Sequence, residues 1–346
     1  METAGQTLNI EPDAAFEIRT LENVAKCGLF SSVKAMGLYS SFASVRIGRP
    51  GSRGACGYLR LVAALGLATV VANAAPLRVV TLFTVLTQIA TEVGGPDVEV
   101  TGLLPPGVDP HTFEPAPGAM RELADADLIL ASGLGLESYL DKLAANSGTR
   151  APIVAVGNAL RNRLPDDAAP GRREADPHWW NSIAATEQVT LEVAAAMAAR
   201  RPADAAGFSS RARDFVARLR ALDDWTRTQL EALPPERRQL VTNHDAFGWF
   251  ARDYGFTVHP ISGLSPEADP NARDFAQLAE LIRSRRIPAV FVENSDNSKL
   301  ATALARESGA RLGGNLYPDG LVPEADGGTY EAMFRHNVLT IVAALR

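Results

Sequence analysis

Three histidines in short polar loops carry the chemistry this chain could do. Gly107-Val108-Asp109-Pro110-His111-Thr112-Phe113-Glu114-Pro115 holds the first directly after a strand-like apolar run, Asp176-Pro177-His178-Trp179-Trp180 repeats the Asp-Pro-His triplet, and Val241-Thr242-Asn243-His244-Asp245-Ala246-Phe247 sets the third after another β-like run. Prolines flanking the first stretch restrict its backbone, so His111 is offered from a stiff loop. Neutral imidazoles are ligands for divalent ions of borderline softness. The three lie 67 and 66 positions apart, far beyond the step that puts two histidines on one helix face, so a common site has to be assembled by the fold from separate loops. In open α/β folds such loops meet in the crevice beyond the carboxyl ends of the strands.

The elements that would position these loops begin only after residue 75. Residues 1–58 show no convincing periodicity and end in a basic, glycine-rich run. Residues 61–72 are apolar and uncharged, preceded by Arg53 and Arg60 and followed by Ala72-Asn73-Ala74, the order of a secretory signal peptide cleaved near Ala74. The run is shorter than the roughly 20 apolar residues a spanning helix needs. A leader placed this far into the chain points to a start codon downstream, with Met36 the internal candidate, and to an exported, periplasmic protein. Cys27 and Cys56 are the only cysteines and both precede the cleavage point, so a metal site in the mature chain is one of nitrogen and oxygen ligands.

The chain has 346 residues, of which 46% are hydrophobic and 21% charged, enough for two lobes with real cores. Its formal charge of -6 argues against nucleic acid as a partner, since phosphate binding asks for a surplus of Lys and Arg. Residues 77–83, 98–104, 128–131 and 153–156 read as strands, alternating with helices at 85–93, 120–126 and 136–143. Residues 161–175 form a polar loop into the second histidine motif. The longest helical pattern, 203–233, places Phe208, Phe215, Leu219, Leu222, Leu230 and Leu233 at three-, four- and seven-residue steps and is stopped by Pro234-Pro235. Strands then return at 239–242, 257–261 and 289–293, with helices at 273–285, 299–307 and 330–345. The alternation predicts an α/β fold with mainly parallel sheets flanked by helices. The expected domains are an N-terminal extension plus signal peptide over 1–74, an N-terminal lobe over 75–201, a joining helix over 202–234 and a C-terminal lobe over 235–346.

Together with Leu316-Tyr317-Pro318-Asp319-Gly320-Leu321, the three histidine motifs resemble those of the periplasmic zinc and manganese receptors of metal-importing ABC transporters, over roughly residues 76–346. The resemblance implies that each of the four motifs donates one ligand: His111, His178, His244 and Asp319. It also implies two similar lobes joined by one rigid helix that limits closure to a small movement. The partners it implies are a membrane permease and its ATPase subunit, served by a monomeric receptor. Receptors specific for zinc often carry a long His- and acid-rich insertion near 161–175, and none is present here.

Glu293, at the end of an apolar strand, is a rival to Asp319 as a ligand or an acceptor orienting an imidazole, and Asp296 and Asp326 are further carboxylates of the same lobe. Asp109, Asp176 and Asp245 flank the histidines, where they would cap turns or support ligands. His259 and His336 read as structural or surface residues, and Phe247, Trp249 and Phe250 as core and cleft wall. Three imidazoles and a carboxylate would fill a tetrahedral zinc shell, which favours holding Zn²⁺ as cargo over catalysis. Mn²⁺ or Fe²⁺ is the alternative, better suited by a second carboxylate in place of His244. A secreted zinc hydrolase is the alternative from another class, against which no Glu sits beside a histidine in the way its general base would.

Overall fold

Strand and helix alternate throughout the computed structural model, which describes residues 75–161, 164, 175–264, 271–293 and 298–346. The expected leader, Met36, both cysteines, most of the 161–175 loop and Asp296 lie outside the described residues.

In the first lobe β1 (Leu77–Thr81), β2 (Val98–Gly102), β3 (Leu128–Ala131) and β4 (Ile153–Ala155) form one parallel sheet in the order β2-β1-β3-β4. β1 and β3 are central; β3 is apolar and buried throughout, and β1 is buried except at Arg78. In the second lobe β5 (Gln239–Thr242) pairs with β6 (Thr257–Pro260), and β7 (Ala289–Glu293) with β8 (Arg311–Leu316), again in parallel. The two ladders adjoin through β5 and β7. Second, first, third, fourth is thus the order of strands in both lobes, although their sequences show no close repeat.

The helices are α1 (Thr84–Gly94), α2 (Ala119–Asp125), α3 (Leu140–Ser147), α4 (Ile183–Arg200), α5 (Ala205–Leu230), α6 (Gly248–Tyr254), α7 (Ala272–Arg285), α8 (Lys299–Ser308) and α9 (Tyr330–Leu345). α5 is the long one. Its 26 residues span roughly 39 Å at 1.5 Å per residue, and they bury Phe208, Ala212, Phe215, Leu219, Leu222, Thr226 and Leu230 along one stripe. It packs on α1 and α4 of the first lobe and on α9 of the second. One continuous apolar core follows, running from Leu77 through Trp180, Phe215 and Leu240 to Leu345. The lobes share an interior, so parting them exposes apolar surface at about 25 cal/mol per Å².

Some elements differ from expectation. α5 starts two residues later and ends three earlier than the 203–233 pattern, with the turn Pro202–Asp204 preceding it. α4 has no counterpart among the expected helices. It is alanine-rich and touches α1, α5 and β3, so no single apolar stripe marks it. β8 is also new, because Arg311, Gly313 and Gly314 break a β-like pattern; Gly313 sits against the Phe291 ring, where a Cβ would stand 2.8 Å from it. α3 begins at Leu140 and not near 136. Gly133, Leu134 and Gly135 all have positive φ, and the buried Glu137 carboxylate accepts the backbone N–H groups of Ser132 and Gly133 at 2.6 and 3.0 Å, which spends residues 132–137 on a tight turn.

Candidate metal centre

Every sequence-predicted ligand follows the carboxyl end of a strand. His111 lies in the loop after β2, His178 beyond β4, His244 two residues after β5, and Asp319 three residues after β8. The fold brings the four together. One donor atom from each lies within 4.8 Å of all the others. His111 Nε2 is 3.1 Å from His178 Nε2 and 3.7 Å from Asp319 Oδ1, His178 Nε2 is 3.5 Å from Asp319 Oδ1, and His244 Nε2 is 3.2 Å from Asp319 Oδ2. Four donors held tetrahedrally at 2.0–2.2 Å from one ion stand roughly 3.4 Å apart, so the spacing fits a single small cation.

Neighbouring carboxylates set the tautomers of two rings. His178 Nδ1 is 2.7 Å from Asp176 Oδ1, and His244 Nδ1 is 2.5 Å from Glu293 Oε2. Each carboxylate accepts the Nδ1–H, so that the ring, when neutral, turns its Nε2 lone pair to the centre. Glu293 also accepts the backbone N–H of Asn243 and of His244, which fixes the β5 loop to the end of β7. His244 Nε2 and both Asp319 oxygens are buried and make no hydrogen bond among the described residues. Burial leaves polar atoms so exposed to one another only at a cost, and a cation among them would remove it.

The electrostatics agree. Burial works to lower the His244 pKa, but the carboxylates of Asp319 and Glu293 outweigh it and hold the ring's pKa well above its ordinary value. Burial likewise opposes ionisation of Asp319, and His244 with the other two rings overcomes it, keeping that carboxyl well below the usual range. Without an ion, the proton on His244 stands in for the positive charge. Burial raises the pKa of Glu293, against the pull of His244.

Aromatic side chains close the centre. Trp180 packs 4.3 Å from Phe83 and 5.3 Å from the His178 ring, and its indole N–H donates to Pro318 O. Asn181 Nδ2 donates to Ala246 O and Pro318 O at 3.0 and 3.2 Å, so one first-lobe turn grips both ligand loops of the second lobe. Trp249 Nε1 reaches back to Asp176 O at 3.1 Å. Trp179, Trp180 and Trp249 are buried, as a wall against water requires. The gripping role of Asn181 carried no sequence signal; it depends on which loops the fold places opposite.

The remaining candidates fall outside the donor group. Asp109 accepts the His111 backbone N–H, Asp326 sits exposed in a short turn, and Asp245 donates its backbone N–H to Gly263 O. His259 pairs with Gln239, and His336 lies near Asn315 O and the Tyr317 ring.

A family described as "Zinc-uptake complex component A periplasmic" matches residues 79–344. The chain belongs to this family. It is similar to the manganese-binding lipoprotein MntA of Bacillus subtilis, 37% identical over 267 residues that cover 75% of this chain and 87% of that protein. It is also similar to the zinc-binding protein TroA of Treponema pallidum, 35% identical over 290 residues covering 82% and 92%. The solved structure of that periplasmic protein superposes with a TM-score of 0.72 at 34% identity, covering 79% of this chain and 99% of that one. The iron-binding protein YfeA of Yersinia pestis is 31% identical over 247 residues, 71% of this chain and 79% of that protein.

Proposed function

We propose that this protein is the substrate-binding component of an ABC importer and that it captures Zn²⁺ between its lobes through His111, His178, His244 and Asp319. The observation that carries this is the convergence of three imidazole nitrogens and one carboxylate, two of the rings with their lone pairs fixed toward the centre by Asp176 and Glu293. Nitrogen-rich four-donor sets suit zinc, whose tetrahedral shell they fill. The protein performs no reaction on its cargo: it binds the ion in the periplasm and yields it to a membrane permease driven by a separate ATPase. The apolar run at 61–72 serves export, with cleavage near Ala74; 75–201 and 235–346 form the lobes, and 202–234 joins them.

Manganese is the second reading, favoured by Asp319. Both its oxygens face the rings, and bidentate binding would raise the donor count to five, toward the coordination a harder ion prefers. Metal analysis and competition titration of the purified chain separate the readings. One tightly held Zn²⁺ per chain that outcompetes Mn²⁺ supports the first, firm Mn²⁺ binding with weak Zn²⁺ supports the second, and no tight ion of either kind refutes both.

A further inference from the structure

A hydroxyl stands beside the metal centre without a partner. Thr84 opens α1 at the end of β1, next to Phe83, whose ring packs on Trp180. The residue is 8% exposed, and Oγ1 makes no hydrogen bond among the described residues. It does not cap its own helix. Valine would fill the same volume among Phe83, Val85 and Leu86, all fully buried, with no hydroxyl to desolvate.

Oγ1 faces the loop that carries Asp319. A Cβ placed on Gly320 would stand 3.4 Å from it, so the first lobe's hydroxyl approaches the second lobe's ligand loop one residue past the ligand. That loop is pinned up to Pro318. Asn337 holds both main-chain groups of Tyr317, and Trp180 and Asn181 hold Pro318 O. Beyond it, both oxygens of the buried Asp319 are acceptors without a donor. A carboxylate that gives one oxygen to an ion keeps lone pairs on the other, and these are ordinarily met by a hydrogen bond from outside the ligand shell. An unmet donor therefore lies across the contact between lobes from Gly320, the neighbour of the residue that carries the unmet acceptors.

We propose that Thr84 is a positioning residue of the metal centre, its hydroxyl donating to the Asp319 carboxylate when an ion is bound and so holding that ligand's orientation. The proposal rests on the metal-receptor reading above. His178 and His244 have a carboxylate each to orient them, and Thr84 does the corresponding service for the fourth ligand.

The test compares the full chain with its Thr84→Val and Thr84→Ser variants, using Co²⁺ as a spectroscopic probe and chelator-driven release of Co²⁺ and Zn²⁺ as the rate. Thr84→Val is expected to shift the visible bands of bound Co²⁺ and to speed release on the order of tenfold, the worth of one hydrogen bond to a charged group. Thr84→Ser, which keeps the hydroxyl, is expected to restore both. Unchanged bands and release in Thr84→Val overturn the proposal. So does a defect that serine fails to rescue, which would make the side chain's shape the cause. If the unaltered chain binds neither Co²⁺ nor Zn²⁺, the receptor reading itself fails and the proposal falls with it, an outcome distinct from the other two.

Discussion

The chain uses the triplet Asp-Pro-His twice, at 109–111 and at 176–178, and the two copies do different work. In both, the aspartate Oδ1 accepts the backbone N–H of the histidine two residues on, at 2.8 and 2.9 Å. Only in the second does the same oxygen also accept from the ring's Nδ1–H. The second triplet lies under Trp249, which binds Asp176 O, and against Gly248, whose missing side chain leaves room for Asp176 Oδ2. The first lies in a surface loop with Val108 exposed at its tip, and the His111 side chain is 9% exposed where those of His178 and His244 are fully buried. Identical local sequence sets the backbone turn. The opposing lobe decides whether the ring is braced.

That contrast can be broken by experiment. The largest loss is expected where a buried ligand is removed: His244→Ala or Asp319→Ala should cost more than the 10–100-fold that loss of a supporting partner costs. His111→Ala should cost less than either, because water can reach its position. Equal losses at His111 and His244, measured by competition titration, would erase the distinction between braced and unbraced rings.

Next come the two aspartates. Asp176→Ala is expected to weaken metal binding by ~10–100-fold, whereas Asp109→Ala, which removes only a turn hydrogen bond, should leave affinity within about a factor of ten, the effect of one ordinary bond. Matching losses would show that the two triplets are equivalent after all. Gly248→Ala sharpens the point without replacing a ligand or its partner. A Cβ there would stand 2.6 Å from Asp176 Oδ2, so the variant should reproduce part of the Asp176→Ala loss, read by the same titration.

The mildest test is pH. The raised pKa of His244 means that its proton stabilises the ion-free fold fully below the ordinary value of 6.5, and that this is lost as pH rises through the raised value. Asp319, held low, contributes above its ordinary value of 3.8 and loses its contribution only as pH falls through the depressed one. Binding an ion requires the neutral ring, so affinity runs the other way and weakens as pH falls. The ion-free protein should therefore melt at progressively lower temperature as pH is raised above neutrality, while loading strengthens. Parallel slopes for the free and loaded forms in a thermal series would contradict the assignment of the proton to His244.

Much of the architecture was legible because it is written locally. Strand runs at 128–131, 239–242 and 289–293 are short and apolar, and the long helix keeps a helical period and is followed by the stop at Pro234-Pro235. The histidines were legible because turn-forming neighbours mark their loops. What escaped depends on contacts distant in sequence. α4 hides because several neighbours bury it, β8 because glycine makes room for Phe291, and the start of α3 because a glutamate folds back on the preceding turn. Glu293 could be read as ligand or support from the sequence, and its bond to His244 Nδ1 gives it the supporting place. Asn181 offered no sign, since its partners lie on the other lobe.

The interior shared by the two lobes has a kinetic meaning. A receptor whose halves swing apart loses cargo at the rate of the swing, but here such a swing would have to wet Phe215, Leu240 and Trp180 together. Under the receptor reading, unaided escape is then timed by the small loop that carries His111, and the lifetime of the loaded form can be tuned by a few residues at its tip while the bulk of the fold is left alone.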